Sequence, residues 1–102
     1  MAQVIWTEPA LDDLADIAEY ISVNNLEAAG YLVSHVFQIV DRLESHPRSG
    51  KKIDEYRAPN YRELVINPCR VFYRIDKESI FILHVMRQEQ QLKSYIFERA
   101  NK

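Results

Sequence analysis

One segment restricts this chain more than any other: IFILHVM at positions 80–86, apolar everywhere except at His84. A strand that borders water alternates apolar with polar residues, so a nearly unbroken apolar run belongs to a strand covered on both faces. Strict alternation places Phe81, Leu83 and Val85 on one face and Ile80, Ile82 and Met86 on the other. His84 falls in the second set, where it reads as a core or rim histidine rather than a general base.

The rest of the sequence must supply what covers those faces. Leu11, Leu14, Ile17, Ala18 and Ile21 recur at steps of three and four, the stripe of an amphipathic helix. Thr7 suits its N-cap and Pro9 its first turn, while Asp12, Asp13, Asp16 and Glu19 lie mostly off the stripe. Asn24 and Asn25 interrupt the pattern. A second helix is expected from Leu26 to about Ser45, with Leu32, Val36, Ile39, Val40 and Leu43 on its main face and Pro47 and Gly50 after its end. So short a break implies an antiparallel hairpin of helices. Such a hairpin covers one face of a sheet, which leaves the second face to the C-terminal segment or to another chain.

AQVIW (2–6) reads as a first strand and the polar stretch 48–60 as a surface loop. YRELVI (61–66) places Leu64 and Ile66 on one face. RVFYRI (70–75) places Val71, Tyr73 and Ile75 on one face and Arg70, Phe72 and Arg74 on the other, with Arg62 expected near this second group. Asn67-Pro68 and Asp76–Ser79 are compact links suited to antiparallel hairpins. The tail from Gln88 to Lys102, with Leu92, Tyr95, Ile96, Arg99 and Ala100, is expected to form a short helix. The fold class is therefore α+β: a helix hairpin on one face of a small, mostly antiparallel sheet, in the order β-α-α-β-β-β with a C-terminal helix, as a single domain over 1–102.

Cys69 is the single cysteine, which excludes an intrachain disulfide and a cysteine-rich zinc site, and it reads as a small filler residue. No apolar run is long enough to span a bilayer, and the first residues lack a signal-peptide pattern, so a cytoplasmic location is expected. The net charge of −2 argues against a general nucleic-acid binder. Its distribution is uneven: residues 1–41 hold seven acids and no Lys or Arg, and residues 42–102 hold thirteen bases against eight acids. That asymmetry points to a polar partner. No metal-ligand spacing is present, and neither metal nor cofactor is expected.

The stretches WTEPALDDLADIAEYI (6–21), YRELVINPCRVFYRID (61–76) and IFILHVMRQ (80–88), with Leu43, Pro47 and Gly50 between them, resemble the ParE/RelE toxin superfamily over nearly the full length. The resemblance implies a toxin encoded beside an antitoxin that wraps around it. The opening helix motif and the acidic first helix look more like the ParE branch, whose members poison DNA gyrase by protein–protein contact. That reading implies no catalytic residues and no direct specific DNA binding by this chain alone. It implies target or antitoxin contacts at Arg62, Arg70, Phe72, Arg74, Ile82, Met86 and Arg87. The alternative, a RelE-like ribosome-dependent mRNA endonuclease, implies a metal-independent set drawn from Lys51, Lys52, Arg62, Arg87 and Tyr95, since such cleavage needs a base and cations around the phosphate. A third reading is a non-toxic, partner-binding remnant of the same fold.

Overall fold

The computed structural model describes residues 1–100, with side chains as far as Glu98. Asn101 and Lys102, at the end of the expected terminal helix, lie outside the described residues, as do the side chains of Arg99 and Ala100. The elements run β1 (Gln3–Trp6), α1 (Glu8–Ser22), α2 (Leu26–Asp41), a 3-10 turn (Arg42–Glu44), β2 (Lys51–Lys52), β3 (Tyr61–Ile66), β4 (Cys69–Asp76), β5 (Ser79–Arg87) and α3 (Tyr95–Ala100). A five-stranded sheet has the order β1-β5-β4-β3-β2, antiparallel except where β1 pairs in parallel with β5.

Local chemistry sets the helix starts. Thr7 caps α1, its Oγ1 accepting from the Ala10 amide and donating to the Ile82 carbonyl at 2.6 Å, so one hydroxyl begins the helix and pins it to β5. Asn25 caps α2 in the same way through the Ala28 amide. Ala10, Leu14 and Ile17 of α1 and Leu32, Val36 and Val40 of α2 are buried against Val71, Tyr73, Ile75, Ile80, Ile82 and Val85 of the sheet. Leu11, expected in the α1 stripe, is instead 43% exposed, and Ala10 takes the buried position.

The second face of the sheet carries its own core: Ile53, Tyr61, Phe72, Leu83, Leu92 and Phe97. The C-terminal segment and the stretch from Ile53 to Ala58 cover this face, so of the two candidates for that task this chain supplies the cover itself. Phe97 is fully buried, with its ring 5.4 Å from that of Phe72 and 4.7 Å from that of Tyr56.

Two local features depart from the expectation. The 48–60 stretch is not loop throughout: Lys51 and Lys52 form a short edge strand paired with Glu63 and Arg62, and Ile53 drops into the far-side core. In β5 the alternation breaks, because the register with β4 passes from Phe72↔His84 to Tyr73↔Ile82 and leaves Leu83 as an extra residue. Beyond this bulge the faces exchange, as an inserted residue requires. Val85 therefore joins Ile80 and Ile82 on the helix side, while Leu83 and Met86 join Phe81 on the far side.

Candidate functional site

The far face of β4 presents Arg70, Phe72 and Arg74 in the expected row, but these cations are engaged within the chain. Arg70 Nε and Nη2 donate to the two carboxylate oxygens of Glu63 at 2.8 Å, and Nη1 and Nη2 donate to Glu55 at 2.9 Å. Glu63 is only 1% exposed, so this bidentate pair answers the cost of burying its charge. The hydrogen bond from Arg70 holds the Glu55 carboxyl below its ordinary range, and hydrogen bonds to Glu63 and then Glu55 raise the Arg70 pKa. Arg70 also stacks 4.9 Å above the Phe72 ring, which has no exposed area. Arg74 lies 5.0 Å above the Phe81 ring and 3.6 Å from Asp76.

Arg62 is not part of this row. It sits opposite Tyr73 and so shares the helix-side face, where its Nη1 donates to the Gly50 carbonyl at 2.7 Å. The parity of YRELVI carries this signal, since Arg62 alternates in phase with Leu64 and Ile66. Ile82, expected at a contact surface, is fully buried in the helix-side core because β5 lies beneath α1. Met86 is partly buried against the far-side core.

Of the five residues suited to RNA cleavage, the four cations do not converge. Lys51 pairs with Glu63 and Lys52 with Arg62, so the two lysines point to opposite faces. Arg62 lies in the row of Tyr73 and Ile82, whereas Arg87 lies in the row of Cys69 and Ile66. The separation is two strands across, about 10 Å, and four residues along, about 13 Å. Arg87 is turned to α1, 4.1 Å above the Tyr20 ring, and pairs with Glu89 at 3.2 Å. Tyr95 is 54% exposed on α3. Around Arg87, Asp13, Asp16, Ile17, Tyr20, Val85 and Gln90 line a cleft of about 300 Å³.

Asp13, Glu55 and Glu63 organise these surfaces and carry no expected role in the sequence reading. For Glu63 the signal was present: a carboxylate within a strand, on the face opposite Leu64 and Ile66, calls for a cross-strand cation. For Asp13 and Glu55 the partners are remote in sequence. Among the described residues no three of His, Cys, Asp and Glu gather as a metal site requires, and no helix is long and apolar enough to cross a membrane.

Residues 4–92 match the family model described as the ParE toxin of the type II toxin–antitoxin system, parDE. The chain belongs to this family. Among its relatives is Toxin ParE3 of Caulobacter vibrioides, 27% identical over 98% of this chain and 100% of that protein. A putative toxin, Y4kP, of Sinorhizobium fredii is 35% identical over 87% of this chain and 91% of that protein. A solved structure of a chromosomal ParDE toxin–antitoxin system from P. aeruginosa has a similar fold, with a TM-score of 0.72 and 26% identity over 87% of this chain and 98% of that one. The chain is thus a ParE-type toxin of a type II toxin–antitoxin system, and the cation-and-carboxylate arrangement above is the form the ParE fold takes here.

Proposed function

We propose that this ParE-family chain acts in the cytoplasm by gripping a protein, DNA gyrase, and that a cognate antitoxin neutralises it by binding. The observation that carries this reading is the dispersal of Lys51, Lys52, Arg62 and Arg87 over two faces and two ends of the sheet. Cleavage of a phosphodiester needs its cations and its base around one phosphate, whereas a protein contact is served by charges spread over a surface. Of the expected contact residues, Arg62, Arg70, Arg74, Met86 and Arg87 keep some exposed area for such a contact, while Phe72 and Ile82 support it from within.

Supercoiling of relaxed plasmid by purified gyrase tests the proposal. Loss of supercoiled product at micromolar chain, restored by the protein encoded in the adjacent reading frame, is the expected result. Undiminished supercoiling, together with cleavage of ribosome-bound message in a translation extract, would transfer the chain to the endonuclease reading.

A further inference from the structure

The loop after α2 has most of its backbone acceptors engaged within the chain. Tyr73 Oη donates to the Pro47 carbonyl at 2.8 Å and accepts from the Gly50 amide at 2.9 Å. Arg62 Nη1 donates to the carbonyls of Arg48 and Gly50, and the Ser49 amide donates to the His46 carbonyl. Four carbonyls in five residues thus already accept a hydrogen bond from within the chain, two of them part-buried, and the loop offers an approaching anion few unpaired oxygens. Outside it lies a cleft of about 540 Å³ lined by His46, Pro47, Arg48, Ser49, Ile75 and Lys77. No carboxylate lines it: the neighbouring Asp76 is drawn to Arg74. Neither Arg48 nor Lys77 joins an ion pair among the described residues. Lys77 is held in position by its turn, where its φ of 56° fixes a left-handed backbone.

We infer that this cleft seats an acidic, extended segment of the antitoxin, with an aliphatic side chain on Pro47 and Ile75 and flanking carboxylates on Arg48, Lys77 and His46. The inference rests on the toxin–antitoxin reading given above. An apolar floor with a cationic rim is complementary to a peptide in which carboxylates flank aliphatic residues. It is poorly suited to nucleic acid, whose bases need aromatic platforms beside the cations. The rings of Tyr56, Tyr61, Phe72 and Phe97 gather in the far-side core instead. The cleft also lies apart from the Arg87 cleft, with which it shares no lining residue.

The test uses the whole chain and a fluorescent short peptide alternating glutamate with leucine. Saturable binding that weakens with added salt is expected, with amide shifts concentrated at Ser49, Ile75 and Lys77. Arg48→Glu combined with Lys77→Asp is expected to weaken it about tenfold or more, because each reversal replaces an attraction by a repulsion. Aspartate is chosen at position 77 because it tolerates the left-handed backbone, and an unchanged melting temperature certifies the fold. The milder pair Arg48→Ala and Lys77→Asn is expected to give an intermediate loss. A glutamine-for-glutamate peptide is expected not to bind.

Equal binding by the reversal variant overturns the inference, as do shifts centred elsewhere. Tighter binding of a short DNA duplex at these residues, or concentration-dependent self-association abolished by the reversal, overturns it in favour of those occupants. The protein of the adjacent reading frame separates the two levels of the argument. If it binds the native chain and the reversal variant alike, the cleft assignment falls and the pairing stands. If it binds neither while the peptide binds, the antitoxin assignment falls.

Discussion

A single carboxylate oxygen of Asp13 joins α1 to the open edge of β5: Oδ2 accepts from the Val85 amide at 3.0 Å, and His84 Nδ1 stands at the same distance. The relationship exists because β1 ends its pairing at Ile82, which leaves the later part of β5 with no strand on that side. Asp13 acts as the missing acceptor. Asp13→Ala is expected to cost about 1–3 kcal/mol, the penalty for stranding a part-buried amide. Asp13→Asn retains an acceptor and should cost less. Urea unfolding of the two variants checks the order.

Among the described residues, Arg70 is the sole cation paired with the buried Glu63. Arg70→Ala is expected to destabilise by about 3–5 kcal/mol, since a buried charge loses its counterion. Adding Glu63→Gln to that variant should restore part of the loss, which chemical denaturation measures directly.

Glu55 has its pKa lowered from an ordinary 4.5 by the hydrogen bond from Arg70. A carboxyl depressed in the folded state stabilises above its unfolded value, and that stability is lost as the pH falls through the folded value. Stability should therefore decline with acidification below about pH 4.5 in part through Glu55. In Glu55→Gln the slope of melting temperature against pH over this window should be shallower.

Gly50 is required for space rather than for its torsion. A Cβ there would stand 2.6 Å from the Glu63 carbonyl oxygen and 2.6 Å from Tyr73 Oη. Gly50→Ala is expected to cost about 1–3 kcal/mol through forced displacement. Tyr73→Phe, which releases the same loop by removing its hydroxyl, should lower the melting temperature in the same direction.

Cys69 is fully buried, and burial pushes its thiol up to about 11. The thiolate is the reactive form, so labelling with a disulfide reagent at mildly alkaline pH should be slow in the native chain and fast in urea. Because the folded value lies above the unfolded one, any stability linked to this group is lost as the pH rises toward 11. Rapid native labelling would contradict the buried position.

The helix hairpin, the three long strands and the row Arg70, Phe72, Arg74 were legible because each follows from a period within one segment. What was not legible depends on events between segments. The bulge at Leu83 is set by how β5 registers on β4, and no residue of IFILHVM announces it. One displaced residue was enough to move Val85 and Met86 to opposite faces from those expected. Lys51 and Lys52 form a strand only because β3 lends them a partner. The engagement of Arg70 by Glu55, fifteen positions away, likewise belongs to the tertiary structure. Arg62 differs, since the phase of its own strand already placed it with Leu64.

The pairing of β1 with β5 has a temporal consequence. Gln3 meets Ser79, and the far-side core is closed only when Phe97 arrives. During translation the first strand has nothing to join until Ser79–Ile82 have been made. The apolar surfaces of β3 and β4 meanwhile lack the seal that Leu92 and Phe97 provide. The far-side core thus depends on a residue met late in the chain: without Phe97, the rings of Phe72 and Tyr56 lose the ring packed against them.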